Sequence, residues 1–222
     1  KMKNQVMVLF DLDGTLIDTA PDMHLALNIL LDEENLPSIA YEKVRSEVSN
    51  GVLGIFSVSF SDDPIFEGKR YNRYLDIYQS VLGQKSQLFE NVTRLLDELD
   101  NEEIDYGVVT NKSSRFTLPL LKQHGLMERL KVCVCGDEVK KIKPDPEPIF
   151  QALDRSSNQY HKDKIYYVGD AEKDIQAANA ANIESIACSY GYRKESDDPG
   201  LWNSDYLIDN LIGVIEIVRT RA

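Results

Sequence analysis

Apolar runs alternate along most of this chain with stretches in which apolar residues recur at helical spacing. The runs are rich in β-branched and aromatic residues, which predicts strands at 6–10, 104–109, 130–135, 165–168 and 184–188. The intervening pattern predicts helices near 91–101, 113–124, 146–155, 171–181 and 208–219. Because strands that alternate with helices form parallel sheets covered on both faces, we expect an α/β fold.

One interval interrupts this alternation. Between the first predicted strand and the strand that starts at 104, no convincing strand is found, and amphipathic helical patterns occur near 16–33, 41–60 and 67–83. The interval is far too long for an ordinary connection between a strand and a helix. We therefore expect a small helical cap domain at 16–86, inserted after the first strand into a core domain made of 1–15 and 87–222.

Composition and charge narrow the class of protein. The 222-residue chain has 25 Lys and Arg against 37 Asp and Glu, which gives a net charge of −12. Such a surface repels nucleic-acid phosphates, and an anionic substrate would need a locally cationic site. Three scattered cysteines make no disulfide framework, and neither a membrane span nor a signal peptide is recognisable. We expect a cytoplasmic monomer or homodimer without nucleic-acid or membrane partners.

Polar side chains follow four of the predicted strands at their ends. They comprise carboxylates, a hydroxyl, an amide and a lysine, namely Asp11, Asp13, Thr110, Asn111, Lys143, Asp170 and Asp174. Open α/β sheets bind ligands at the carboxyl ends of their strands. The sequence therefore predicts a functional site at this edge of the sheet.

These residue types suit metal-assisted phosphoryl transfer. Several carboxylates with no more than one histidine nearby favour a hard cation such as Mg²⁺, and a lysine is a point charge suited to phosphate. Asp11 could then attack phosphorus as a nucleophile. The proximity of Asp11 and Asp13 favours a proton on one of them, and Asp13 could serve as the general acid and base.

Four segments resemble the motifs of the haloacid dehalogenase-like (HAD) hydrolases. They are DLDGTLIDT at 11–19, Thr110-Asn111, KIKPDPEP around Lys143, and GDAEKD at 169–174. They occur in the family's order and, with the strand pattern, cover nearly the whole chain. The resemblance implies a Rossmann-like parallel sheet with helices on both faces and a small helical cap after the first strand.

A finer resemblance points to the phosphoglycolate phosphatase-like branch of this family. GVVTNK at 107–112, KPDPEP at 143–148 and YGYR at 190–193 look especially like bacterial N-acetylmuramic acid 6-phosphate phosphatases. The branch implies an Mg²⁺-dependent hydrolysis of a small phosphomonoester, of the 2-phosphoglycolate or N-acetylmuramic acid 6-phosphate type. The reaction would pass through an aspartyl-phosphate intermediate.

The resemblance also implies roles for the acidic residues. Asp11 would be the nucleophile and a metal ligand. Asp13 would be the general acid and base, and its backbone carbonyl would bind Mg²⁺. Asp170 would be a metal ligand, and Asp174 would orient a metal-bound water or Lys143.

Substrate binding is implied for residues of both the core and the cap. Thr110, Asn111 and Lys143 would hold the phosphoryl group during its transfer. In the predicted cap, Ser49-Asn50-Gly51 resembles the family's substrate-facing loop, so Asn50 and Gly51 are candidate substrate-binding residues. The Asn-Gly pair could equally be a plain turn between two cap helices.

Some of these residues also have simpler structural explanations. Lys143 lies in a basic cluster and could be solvated, and Asp174 could be an exposed acid in the first turn of a helix. The helical spacing of Tyr71, Tyr74 and Tyr78 predicts that these rings pack inside the cap.

Other functions fit part of the pattern. A phosphosugar mutase of the β-phosphoglucomutase type would return the phosphoryl group from Asp11 to a second hydroxyl, and the same residues would serve it. A dehalogenase needs neither a metal nor an acid for the leaving group, so Asp13 and Asp170 argue against it. A phospho-ligand sensor is disfavoured because every catalytic position is filled, and a receiver domain is disfavoured by the long cap.

Overall fold

The computed structural model describes residues 6–60 and 68–220. Its strands are β1 Met7–Phe10, β2 Ile17–Asp18, β3 Gln87–Leu88, β4 Asp105–Val109, β5 Val132–Val134, β6 Ile165–Gly169, β7 Glu184–Cys188 and β8 Tyr206–Ile208. Its helices are α1 Ala20–Glu33, α2 Tyr41–Arg45, α3 Gly51–Ser57, α4 Lys69–Val81, α5 Val92–Asn101, α6 Ser114–Gln123, α7 Glu147–Arg155, α8 Glu172–Ala181 and α9 Ile212–Thr220. None of the helices in these ranges is long and apolar enough to cross a membrane.

A parallel sheet with the strand order β5-β4-β1-β6-β7-β8 forms the centre of the protein. β1 lies between β4 and β6, and Phe10 at its end is in register with Val108 and Val168. Because the chain moves from β1 to β4 on one side and later to β6 on the other, the connections diverge here. Such a switch point leaves a crevice at the carboxyl ends of the strands, where α/β proteins bind ligands.

Helices cover both faces of this sheet, as the sequence pattern predicts. Val8 and Phe10 point to one face and pack in an apolar cluster with side chains of α5, α6 and α9. Met7 and Leu9 point to the other face and pack with side chains of α7 and α8. All four side chains are fully buried. Burial on both faces explains why β1 is a continuous apolar run and shows no alternation.

The predicted strands are all present, but the structure adds three that the pattern missed. β8 lies just before α9, where the sequence predicts a helix from 208, and it extends the sheet by pairing Ile208 with Cys188. β2 and β3 form an antiparallel pair within the interval predicted to lack strands, with Ile17 opposite Leu88. The prediction was wrong at these points because strands of two or three residues are too short to show a period.

Helices α1 to α4 form a second apolar cluster beside the sheet. It contains Tyr74 and Tyr78, which are buried, and it is joined by Phe116 of α6 and by Tyr192. Tyr71 packs at its margin and is partly exposed. We propose that this cluster is the core of a cap domain at 16–86, mounted on a core domain at 1–15 and 87–222. Both of these assignments include segments outside the described residues, namely 1–5, 61–67 and 221–222.

The short strands β2 and β3 lie where the chain enters and leaves the proposed cap. Their pairing ties the two crossings together, because Asp18 lies opposite Gln87 immediately before α1 begins. The chain therefore passes between the sheet and the helical cluster beside this two-stranded link at both crossings.

Candidate active site

The ends of β1 and β6 and the segment before α7 converge on the ammonium group of Lys143. Its Nζ lies 2.8 Å from Asp11 Oδ1 and 2.7 Å from Asp174 Oδ1, and the lysine side chain is completely buried. It also donates to the hydroxyl of Tyr167 at 2.7 Å and to the carbonyl of Val109 at 3.1 Å. Lys143 and Asp174 are therefore not solvated surface charges.

The charge of Lys143 is set by competition between burial and its two carboxylate partners. Burial by itself lowers the pKa of the ammonium group, but Asp11 and Asp174 outweigh it and raise the pKa well above its ordinary value. Lys143 is therefore a cation across the physiological pH range. The side chain of Asn111 fixes its backbone, since Nδ2 donates to the Lys143 carbonyl and Oδ1 accepts from its N–H, both at 2.9 Å.

Asp170, directly after β6, is held from three parts of the chain. Its Oδ1 accepts a hydrogen bond from Thr15 Oγ1 at 3.1 Å. Its Oδ2 accepts from the backbone N–H of Tyr192 at 2.8 Å and from Ser49 Oγ at 3.2 Å. Ser49 precedes α3, so the helical cluster reaches the acidic group directly.

One carboxylate oxygen from each of Asp11, Asp170 and Asp174 lies within 4.8 Å of the other two. Burial raises the pKa of Asp170 to about 8, and the negative charges of Asp11 and Asp174 add to this rise. Burial also raises the pKa of Asp11 to about 6, although Lys143 opposes the shift. Lys143 alone does not compensate three buried carboxylates, so the cluster is suited to a bound cation or a proton.

Two glycines make room for the Asp170 carboxylate. Gly14 has φ +86°, a left-handed conformation, and a Cβ there would lie 2.7 Å from Asp170 Cγ. A Cβ at Gly191 would lie 2.5 Å from the same atom. The sharp turn after Asp13 therefore serves two purposes, because it reverses the chain and lets the backbone approach a charged group closely.

Asp13 lies at the side of this cluster and is half-buried. Its Oδ1 accepts hydrogen bonds from Thr19 Oγ1 at 2.5 Å and from Lys112 Nζ at 2.9 Å. The backbone N–H of Lys112 donates to Thr110 Oγ1 at 3.1 Å. Thr110 and Asn111 were predicted site residues but Lys112 was not, because its only signal in the sequence is its place next to them in TNK.

A cavity of about 460 Å³ opens above these residues, between the strand ends and the helical cluster. Asp11, Asp13, Thr110 and Lys143 form part of its floor. Its walls are largely apolar and are built by Met23, Val48, Val52, Leu53, Tyr71, Leu75, Tyr78, Phe116 and Ile142. Tyr71 thus lines the cavity at the margin of the helical cluster, although the sequence predicts that it packs inside.

Asn50 and Gly51 also line the cavity. Asn50 Nδ2 donates to Glu47 Oε2 at 3.2 Å, and Gly51 has φ +64° where α3 begins. The pair is thus also a turn between helical segments, and its contact with substrate stays a prediction. Two lysines absent from the sequence-based site, Lys112 and Lys173, line the same cavity.

An α/β fold with an acidic site at the carboxyl ends of its strands is typical of a class of hydrolases. Comparison with known proteins identifies the same class. Residues 8–188 match the family model of the haloacid dehalogenase-like hydrolases, and the chain belongs to that family. The resemblance stated from its four motifs is thereby confirmed.

Individual relatives are similar to this chain over most of its length. The chain is 35% identical over 218 residues to an N-acetylmuramic acid 6-phosphate phosphatase of Pseudomonas putida, with 95% of each chain covered. It is 38% identical over 203 residues to a phosphoglycolate phosphatase of Xanthomonas campestris pv. campestris, with 91% of each covered. The crystal structure of a predicted phosphoglycolate phosphatase from Haemophilus somnus superposes with a TM-score of 0.83 at 25% identity, covering 98% of this chain and 99% of that one.

Proposed function

We propose that this hydrolase is an Mg²⁺-dependent phosphatase that cleaves a small phosphomonoester through an aspartyl-phosphate intermediate. The observation that carries the proposal is the buried ion pair of Lys143 with Asp11 and Asp174, with Asp170 beside them and a cavity above. Two relatives that cover at least nine-tenths of the chain carry phosphatase names, which supports the same conclusion.

The donor atoms of the site fit Mg²⁺. The cluster offers carboxylate oxygens only, which are the ligands that hard cations prefer. Asp11 and Asp170 would hold the ion together with the backbone carbonyl of Asp13, and Asp174 would orient Lys143 or a water bound to the ion. When bound, the ion would offset the negative charges of the phosphoryl group and of the attacking carboxylate.

The reaction then has two steps, a transfer of the phosphoryl group to Asp11 and its transfer from Asp11 to water. In the first, a carboxylate oxygen of Asp11 forms a bond to phosphorus, the bond from phosphorus to the alcohol oxygen breaks, and Asp13 gives that oxygen a proton. In the second, Asp13 takes a proton from water as the water oxygen attacks phosphorus, which frees Asp11 and releases phosphate. Thr110 and Lys143 hold the phosphoryl group through both transfers.

The cavity supports a substrate of the N-acetylmuramic acid 6-phosphate type over 2-phosphoglycolate. Cavities of about 300–1,000 Å³ bind ligands of drug size, whereas a two-carbon acid would leave most of such a space unfilled. The apolar walls suit the methyl groups of an N-acetyl and a lactyl substituent. Lys173 also lines the cavity, and its Nζ donates to the backbone carbonyl of Ser49. Because both candidate substrates carry a carboxylate, the charge of Lys173 fits either of them.

The test is release of phosphate in the presence of Mg²⁺, with kcat/KM compared between N-acetylmuramic acid 6-phosphate, 2-phosphoglycolate and β-glucose 1-phosphate. We expect the first to be hydrolysed most efficiently, and we expect Asp11→Asn or a chelator to abolish release. A preference for 2-phosphoglycolate would reverse the substrate assignment. Conversion of β-glucose 1-phosphate to glucose 6-phosphate without phosphate release would assign a mutase instead.

A further inference from the structure

The two carboxylate oxygens of Asp13 have different surroundings. Oδ1 accepts two hydrogen bonds, one from Thr19 and one from the charged Lys112. Within residues 6–60 and 68–220, no group donates a hydrogen bond to Oδ2. Asp13 also lines the cavity. One oxygen of the carboxyl group is therefore held by the protein, and the other is left for a ligand.

Lys112 is itself held in place by several parts of the protein. Its side chain is only 8% exposed, and Nζ lies 4.9 Å from the centre of the Tyr78 ring, a cation–π contact. Its backbone N–H is bound to Thr110 at the end of β4. Because Tyr78 belongs to α4 and Thr19 precedes α1, the contact with Asp13 joins the sheet to the helical cluster.

We propose that Lys112 is a positioning residue that, together with Thr19, leaves Oδ2 of Asp13 as the oxygen that carries the transferred proton. This inference rests on the proposed phosphatase function. Oδ1 is occupied by two donors, one of them an ammonium group, so Oδ2 is the oxygen free to exchange a proton with a ligand in the cavity that Asp13 lines. The two hydrogen bonds also fix the rotation of the carboxyl group, so the proton points in one direction.

The transfer depends on this orientation. As Asp11 forms its bond to phosphorus, the bond to the alcohol oxygen breaks and the proton of Asp13 moves to that oxygen. A carboxyl group that is free to rotate would less often direct Oδ2 at the leaving oxygen, so loss of the contacts on Oδ1 should slow this step.

The experiment measures how kcat/KM depends on the leaving group. Aryl phosphates from p-nitrophenyl phosphate to phenyl phosphate differ little in size but strongly in how much their leaving oxygen needs a proton. kcat/KM includes only the steps up to departure of the alcohol, so hydrolysis of the aspartyl-phosphate does not affect it. For Lys112→Met we expect kcat/KM to fall about 10- to 100-fold for phenyl phosphate and less than about threefold for p-nitrophenyl phosphate.

Further variants make the test specific to the contact with Asp13. Lys112→Arg keeps a charged donor and should restore a dependence on the leaving group close to that of the wild type. Thr19→Val should increase this dependence in the same direction as Lys112→Met, and it supplies the test if that variant does not fold. Lys122→Met changes an exposed lysine of α6 and should leave every rate unchanged.

Two other results would overturn the inference. If Lys112→Met lowers kcat/KM equally for all aryl phosphates, Lys112 acts on structure or on phosphate binding and does not position Asp13. If it raises only the KM for substrates with a carboxylate, it binds substrate directly. Both differ from failure of the proposed function itself, in which the wild-type protein would hydrolyse no phosphomonoester in the presence of Mg²⁺.

Discussion

The hydroxyl of Tyr192 donates a hydrogen bond of 2.6 Å to Asp18 Oδ1, at the point where the chain enters the helical cluster. The same hydroxyl accepts the backbone N–H of Ala20 at 2.9 Å. The backbone N–H of Tyr192 is bound to Asp170 at 2.8 Å. One residue therefore connects the entry to the proposed cap with a carboxylate of the proposed metal site.

Removal of this hydroxyl tests the connection. Tyr192→Phe leaves the backbone N–H of Ala20 without its acceptor, so we expect the free energy of unfolding to fall by about 1–3 kcal/mol. We also expect a lower kcat, because the contact between the sheet and the start of the proposed cap is loosened. Urea denaturation and phosphate release measure the two effects.

Tyr160 supplies a matched control for Tyr192. Its hydroxyl donates to Asp105 Oδ2 at 2.7 Å, and Asp105 is the first residue of β4, at the edge of the sheet opposite the site. Tyr160→Phe should lower stability without changing kcat. An unchanged kcat in Tyr192→Phe would show that its hydroxyl contributes to stability alone.

Loss of the buried lysine should leave the carboxylates uncompensated. We expect Lys143→Met to lower the free energy of unfolding of the metal-free protein by about 3–5 kcal/mol and to abolish activity. Mg²⁺ should restore more stability to this variant than to the wild type, because the ion replaces part of the missing positive charge. Denaturation in urea, with a chelator and then with Mg²⁺, measures both effects.

Lys141 supplies the control for that experiment. Its side chain is 72% exposed and pairs with Asp145 at 3.6 Å, which is a surface contact of little energetic value. Lys141→Met should leave stability and activity unchanged. Equal stability of Lys143→Met and Lys141→Met would contradict the view that the acidic cluster depends on Lys143 for compensation.

The raised pKa of Asp170 predicts a pH dependence of stability. Burial, with Asp11 and Asp174, raises this pKa to about 8 in the folded protein, so the folded state keeps a proton that the unfolded chain releases near its ordinary pKa of 3.8. The folded state then binds more protons, and the free energy of unfolding falls as pH rises between these values. The metal-free protein should therefore become less stable as pH rises from about 5 to 8.

Thermal denaturation of the chelator-treated protein across this pH range checks the prediction. Asp170→Asn removes the titrating group and should flatten the dependence, although Asp11, whose pKa burial raises to about 6, retains a smaller contribution of the same sign. Saturating Mg²⁺ should also flatten it in the wild type. A midpoint that rises with pH in the metal-free protein would show that the cluster is not held by a proton.

Because Gly14 lies close to Asp170, we expect that adding a single methyl group at Gly14 lowers the activity. Gly14→Ala would place a Cβ against the Asp170 carboxyl group at a backbone conformation that disfavours it, so we expect activity to fall at least about 100-fold. Gly125→Ala is the control, because Gly125 has φ +68° but, beyond its chain neighbours, no atom of the described residues lies within 4 Å of its Cβ position. It should lose about 1 kcal/mol of stability and keep its activity. Similar activities of the two variants would exclude the clash as a cause.

The elements with strong local patterns were predictable from the sequence. β1 is a continuous apolar run, α5 has apolar residues at helical spacing, and Asp11 and Asp170 follow buried strands directly. Short elements were not predictable, because β2, β3 and β8 contain two or three residues each and are defined by their partners. Tyr71, which lines the cavity, shares the helical spacing of Tyr74 and Tyr78, and spacing alone cannot tell a core position from a cavity wall.

The sequence by itself determined the α/β class and the set of polar residues at the strand ends, because both depend on patterns between near neighbours. Only the tertiary structure decided which of those residues meet. Lys143 follows β5, Asp11 follows β1 and Asp174 lies in the helix after β6. The strand order β5-β4-β1-β6 brings these segments to one edge of the sheet, an order that no local pattern contains. The contact of Lys112 with Asp13 arises in the same way, since adjacent parallel strands bring distant segments to one edge.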